Sequence, residues 1–182
     1  MEAMLIHRRC RMEPLRLGEI LVKSGVLTAK QVEDLLHYQQ QTHKPIGWLA
    51  ERKFGIDPEV IEDAWAEQYA SITRTIDPEF EFYTDEASQL VSHRQAWQFR
   101  VLPIRFDDSE LIMATTRRHL RRALRFATNV IGVPVYFVMT EPIALGRALC
   151  ERYALAGFTP ESIDDDASFA GLLEMTKNGK AA

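Results

Sequence analysis

The chain has 182 residues, 46% of them hydrophobic and 26% charged, which is ordinary for a globular protein of one domain or two small ones. Its net charge of −4 offers no bulk attraction to nucleic acid or anionic lipid, so binding of that kind would need a local patch. Only two cysteines occur, Cys10 and Cys150, without CxxC or Cys/His spacing, which argues against a zinc site or disulfide framework and fits a reducing compartment.

Residues 1–14 read as a loose basic leader with no apolar run of signal-peptide length. Leu17, Ile20, Leu21 and Ser24 then share one helical face, and Gly25 is placed to end that helix. Thr28 stands three residues before Gln31, the spacing of a capping box, and opens a second helix striped by Val32, Leu35, Leu36 and Gln39. A short helix from about Ile46 to Lys53 stops at Gly55. Asp57 caps the next helix, Pro58 fits its first turn, and Val60, Ile61, Ala64, Trp65 and Gln68 follow at helical spacing.

After Ala70 a polar, proline-containing stretch marks a subdomain boundary. Beyond it the pattern predicts a helix over 86–96, a strand over 99–105, a turn at Asp107-Asp108 and a second strand over 110–115. A helix over 117–128, a strand over 133–139 and a last helix capped by Thr140 and ending near Tyr153 complete this half. The expected class is α+β: an N-terminal four-helix tandem helix-turn-helix repeat over 15–72, followed by a small α/β subdomain over 73–156. A flexible leader (1–14) and a flexible tail (157–182) flank them. No stretch approaches the length of a membrane span, so the chain is expected to be cytoplasmic and not membrane-inserted.

The motifs of common catalysts are missing. There is no GxxxxGK[ST], GxGxxG, HExxH or GxSxG, and the five histidines are scattered. The expectation is a non-catalytic protein without a metal or cofactor.

What the sequence does carry is a 24-residue unit written twice, over 16–39 and 45–68, with a five-residue spacer. Leu17-Gly18 aligns with Ile46-Gly47, and Gln39 with Gln68. One copy is too short to bury a core, so the two should pack together, and a doubled site suits a two-fold ligand. Arg16 offers a planar charged fork for a guanine edge. Gly18 allows close backbone approach, with helix-start amides for a phosphate oxygen. Leu21, Val22, Val26 and Leu27 would floor the purine faces, and Gln39 supplies a polar group.

The ordered set Arg16-Leu17-Gly18, Leu21-Val22, Gly25-Val26-Leu27, Val32, Leu36 and Gln39 resembles the first half of the MshEN domain. That domain is the cyclic-di-GMP-binding amino-terminal module of type II secretion (GspE-type) and type IV pilus assembly ATPases. The segments PIRFDDSELIMATT and RFATNVIGVPVYFVMTEPIALGRALCERY resemble the α/β part of the same region, so the likeness spans about residues 15–155 without the ATPase core. It implies a cyclic-di-GMP site formed by Arg16, Leu17, Gly18, Leu21, Val22, Gly25, Val26, Leu27, Leu36 and Gln39, joined by Ile46, Gly47 and Gln68 of the second unit.

The second unit departs from the pattern. Pro45 stands where the arginine belongs, Ala50 and Glu51 replace two bulky aliphatics, and Gly55 falls eight rather than seven residues after its leading glycine, with the following helix expected to shorten by one. At roughly 1 kcal/mol per lost apolar contact, affinity falls by orders of magnitude, so the expected binding is weak to moderate with Arg16 most sensitive. Two alternatives stand beside it. An adaptor could dock a secretion or pilus motor, or an inner-membrane platform protein, with Trp48, Trp65 or Trp97 as anchors. The arginines at 117, 118, 121, 122 and 125 could bind anions or nucleic acid, although no RRM, KH or zinc-finger motif supports nucleic acid as a partner.

Overall fold

The computed structural model describes residues 15–164, and the chain divides into two compact units that part between Ile72 and Thr73. The leader expected over 1–14 lies outside the described residues.

The first unit is four helices, α1 (Leu17–Lys23), α2 (Ala29–Thr42), α3 (Ile46–Phe54) and α4 (Pro58–Ile72). Local chemistry sets most of their ends. Thr28 and Gln31 form the expected capping box, with the Thr28 amide donating to Gln31 Oε1 at 2.8 Å and the Gln31 amide to Thr28 Oγ1 at 3.3 Å. Asp57 Oδ1 accepts the Glu59 amide at 2.8 Å at the start of α4. Gly55 takes φ 64° directly after α3, a left-handed stop that glycine adopts without strain. Leu17, Ile20, Leu21, Leu27, Leu35, Leu49, Ala50, Ile61 and Ala64 form one buried core drawn from both repeats. Ser24, expected on the inward face of α1, is exposed.

The extra residue before Gly55 is not taken out of the long helix, as the spacing suggested. Helix α4 has 15 residues against 14 in α2. The difference is absorbed in the turn: α3 runs to the residue before its glycine, whereas α1 stops at Lys23 and Ser24 precedes Gly25. The N-caps Thr28 and Asp57 therefore keep equivalent positions, and the long helices stay in register.

The second unit contains α5 (Asp85–Ser88), α6 (His93–Phe99), β1 (Leu102–Asp107), β2 (Glu110–Thr115), α7 (Leu120–Val130), β3 (Val135–Met139) and α8 (Pro142–Arg152). The sheet order is β1-β2-β3. Strands β1 and β2 form the predicted hairpin, closing on Asp107 opposite Glu110, while β3 runs parallel to β2 after the α7 crossover. Buried Trp97 donates to Tyr153 O at 2.8 Å, and buried Arg100 donates to Ser162 O at 2.8 Å, to Ile163 O at 3.2 Å and to Trp97 O.

Several boundaries differ from expectation: the helix expected over 117–128 opens as a 3-10 turn at Arg117–His119, so α7 starts at Leu120, and β3 starts at Val135 rather than 133. The single helix over 86–96 is two, because Ser92 and Gln95 make a second capping box that restarts the chain at His93 and delays β1 to Leu102. Thr140 does not cap α8: Glu141 is the N-cap with Pro142 in the first turn, and Thr140 Oγ1 is buried without a hydrogen-bond partner. Residues 160–163, placed in the tail by the sequence, form a 3-10 turn whose Ile163 is fully buried. The rest of that tail, from residue 165, lies outside the described residues.

Candidate functional site

The first unit has a cleft of about 510 Å³, within the range of small-molecule sites. Arg16, Leu17, Gly18, Glu19, Val32 and Leu36 line it, with Gln39, Pro45, Ile46, Gly47, Trp65 and Gln68. Each second-repeat residue lies 29 positions after its counterpart, so the wall pairs Arg16 with Pro45, Leu17 with Ile46, Gly18 with Gly47, Leu36 with Trp65 and Gln39 with Gln68.

The two glycines explain how the helices come close enough to form this wall. A Cβ on Gly18 would sit 2.7 Å from Val32 Cγ1 and 3.7 Å from Ile46 Cδ1. A Cβ on Gly47 would sit 2.7 Å from Ile61 Cγ2 and 3.7 Å from both Leu17 Cδ2 and Trp65 Nε1. The contacts are the same under exchange of repeats, Val32 for Ile61 and Ile46 for Leu17. Neither position has room for a side chain, so both glycines are packing requirements of the bundle as well as lining of the cleft.

The two glutamines show the same exchange. Gln39 Nε2 donates to Lys44 O at 3.2 Å and Gln68 Nε2 donates to Leu15 O at 3.0 Å. Each therefore holds the carbonyl one residue ahead of the other repeat's start. The cleft is consequently crossed. Arg16 lies between Leu15, fixed by Gln68, and Leu17, which packs at Gly47 beside Trp65. One end joins the start of the first repeat to the end of the second. The opposite end brings Pro45 to Leu36 and Gln39. The first repeat does not make one half of the site by itself.

Of the residues expected to contact ligand, Arg16, Leu17, Gly18, Leu36, Gln39, Ile46, Gly47 and Gln68 line the cleft. Leu21, Val22, Gly25, Val26 and Leu27 do not. Leu21 and Leu27 are in the core at 0% and 3% exposure, Val26 packs against it, and Val22 and Gly25 face outward. A short helix has one inward face, and α1 spends it on Ile20 and Leu21. Sequence reasoning missed Glu19, Val32, Pro45 and Trp65 as lining. The signal for Trp65 was its alignment with Leu36, and for Val32 its place one turn ahead of Leu36 on the same stripe. The polar side chains at the cleft are Arg16, the two glutamines, the Trp65 indole and Glu19, whose Oε2 accepts the Arg16 amide at 3.0 Å.

A larger cleft of about 790 Å³ lies in the second unit, walled by α8 and the turn at 78–80. Its acids, Asp77, Glu79, Glu141 and Glu151, outnumber its arginines, Arg147 and Arg152. Tyr83 there is pushed up to about 12 by burial, with Arg152 only partly offsetting it from 3.4 Å over the ring. An acid-rich wall is a poor place for a phosphodiester. In the arginine-rich segment, Arg118, in the 3-10 turn before α7, donates to Asp164 O at 3.4 Å and Arg122, on α7, to Gln98 O at 3.3 Å, so both guanidinium groups reach the chain's own carbonyls. Among the described residues no cluster of three or more His, Cys, Asp or Glu could hold a metal ion, and no helix is long and apolar enough to cross a membrane.

No curated protein matches the chain. Among solved structures it is similar to MshE with cdg, at 21% identity and a TM-score of 0.42, covering 76% of this chain and 99% of that one. It is also similar to the N-terminal domain of XpsE, at 19% identity and a TM-score of 0.41, covering 75% and 92%. The family model of the MshEN domain matches residues 56–158, from the turn before α4 through the whole sheet to the loop after α8. That span is more than half of the sequence, and the chain belongs to the MshEN domain family.

Proposed function

We propose that this protein is a non-catalytic regulatory module that binds cyclic-di-GMP in the first-unit cleft. The observation that carries the reading is the doubled wall: equivalent residues of two repeats converge on one cavity of about 510 Å³, with glycines bringing the helices together and Arg16 as its one guanidinium. Membership of the MshEN family supports the ligand class. The Arg16 fork can donate to O6 and N7 of a guanine or to a phosphate oxygen. Leu17, Val32, Leu36, Ile46 and Trp65 supply apolar surface for purine faces. The chemistry is binding alone, and the output is a change in whatever motor or platform the module serves.

Calorimetric titration of the purified protein with cyclic-di-GMP tests this. The expected result is weak to moderate affinity, reduced at least ten-fold by Arg16→Ala, because a hydrogen bond to a charged group contributes roughly 1.5–3 kcal/mol. Absence of heat up to about 100 μM ligand, a range that weak binding would still reach, refutes the reading. Binding that Arg16→Ala leaves intact refutes the site.

A second reading, docking onto a secretion or pilus platform protein, rests on a different feature. An apolar groove of about 450 Å³ runs between α7 and β3, lined by Leu124, Ala127, Ile131, Val133, Pro134, Val135 and Phe137. Co-purification of such a component from the native cell, lost on Ala127→Glu, tests it.

A further inference from the structure

The two ends of the cleft are chemically unlike, and the crossing of the repeats determines which residues meet at each. At one end Arg16 is bracketed by Leu15, whose carbonyl Gln68 holds, and Leu17, which packs at Gly47 beside Trp65. An always-charged planar fork and a large aromatic ring therefore share that end. Trp65 is 54% exposed although it lines a cavity, so its ring has free surface to offer. At the other end the corresponding residues are Pro45 and Leu36, beside Gln39. Proline has no side-chain donor and no amide hydrogen, and leucine has no π face.

We propose, building on the reading of this cleft as a cyclic-dinucleotide site, that it reads one guanine and merely encloses the second base. At the Arg16 end, two parallel donors match the O6 and N7 acceptors of guanine, whereas adenine presents an amino donor in place of O6 and opposes the guanidinium. Trp65 stacks on the same base and adds affinity without choosing between purines, since every base has a π face. At the Pro45 end no guanidinium meets the ligand; beside Leu36 stands the Gln39 amide, one N–H of which donates to Lys44 O while its other N–H and its Oε1 can turn to either purine. Guanine and adenine are equivalent there. The ligand class follows: cyclic dinucleotides holding at least one guanine, including the mixed guanine–adenine ring. The second repeat's loss of its arginine broadens this class and leaves one base-reading end in place.

The test is calorimetric titration of the whole protein with cyclic-di-GMP, cyclic GMP–AMP and cyclic-di-AMP, on the parent chain and on Arg16→Ala, Trp65→Ala and Trp65→Phe. Far-UV circular dichroism confirms that the variants fold, and the exposure of Trp65 makes its replacements mild. Expected are affinities for the first two ligands within about two-fold, the statistical advantage of two guanines over one, and at least ten-fold weaker binding of cyclic-di-AMP. Trp65→Ala weakens both guanine ligands by roughly 5- to 150-fold and Trp65→Phe largely restores them, as loss and recovery of a stacked base require. Arg16→Ala erases the preference for guanine. Cyclic-di-GMP binding more than ten-fold tighter than the mixed ring, or indifference to Trp65→Ala, overturns this inference while the cyclic-di-GMP site stands. Failure of all three ligands to bind overturns the site and the inference together.

Discussion

Gly18→Ala sets two effects of known size against each other. Alanine in a helix interior gains up to about 1 kcal/mol over glycine, and less in the first turn, where Gly18 sits. Against this, the new methyl would lie 2.7 Å from Val32 Cγ1, closer than carbon atoms approach. Val32 is β-branched and stiff at χ1, so its methyl cannot swing aside, and either α1 or α2 must shift. Overpacking of this kind costs about 1–3 kcal/mol, so the net change should be a destabilisation of about 1–2 kcal/mol. Val32→Ala alone, at a half-buried position, should cost about 1 kcal/mol. In the double variant the space vacated by Val32 receives the alanine methyl, and the coupling should recover about 1–2 kcal/mol. Gly47→Ala against Ile61→Ala is the matched cycle in the other repeat, at the same 2.7 Å contact. Urea denaturation followed by circular dichroism gives the totals, and hydrogen exchange of the α1–α4 amides assigns the change to the first unit. A neutral or stabilising Gly18→Ala, or a double variant that is strictly additive, would refute the close-packing account.

Gln39→Ala and Gln68→Ala should each cost about 0.5–1.5 kcal/mol and increase exchange in the chain ahead of the opposite repeat, as read by hydrogen exchange. Gly146→Ala should destabilise the second unit by about 2–4 kcal/mol in chemical denaturation, because its Cβ would collide with the Pro160 backbone, which cannot rotate away as a side chain can. Buried His119, whose Nδ1 lies 2.8 Å from Thr116 Oγ1, is pushed down to about 4 by burial and then by the charges of Arg100, Arg122 and Arg118. The unfolded chain therefore takes up its proton first, so this site's contribution to stability is intact above about pH 6.5 and is lost as pH falls toward 4, on the order of 3 kcal/mol. His119→Gln should flatten that part of the profile, and an unchanged slope between pH 6.5 and 4 would contradict the assignment.

Features set by neighbouring residues were legible in the sequence, and features set by packing were not. The Thr28–Gln31 box, the Gly55 stop and the β1–β2 hairpin depend on residues a few positions apart, and they appear where the spacing placed them. The second capping box, Ser92 with Gln95, was equally readable, and overlooking it merged α5 and α6. Thr140 misled because a threonine before a helix has the right chemistry for a cap, yet burial directs it inward and Glu141-Pro142 begins the helix instead. For the candidate site, the repeat alignment identified the positions that share a wall. It did not separate core positions from cleft positions, so Leu21, on α1, and Leu27, in the turn after it, were assigned to ligand although both pack in the core. Nor could it reveal the crossing. A linear sequence suggests that Arg16 to Gln39 act together, whereas the hydrogen bonds from Gln39 and Gln68 join each repeat's end to the other's beginning.

Those reciprocal bonds make the four-helix unit a ring in all but covalent terms. Gln68 near the end of α4 touches Leu15 ahead of α1, as Gln39 touches Lys44 across the spacer that the chain does traverse. The two junctions make matching glutamine-to-carbonyl hydrogen bonds, and only one of them also carries the chain's own peptide linkage. A permuted first unit, opened within residues 40–44 and closed by a short linker from beyond Gln68 to Leu15, should keep the same core and cleft. Chain order is then not what holds the two repeats together, although their side chains still tell one end of the cleft from the other.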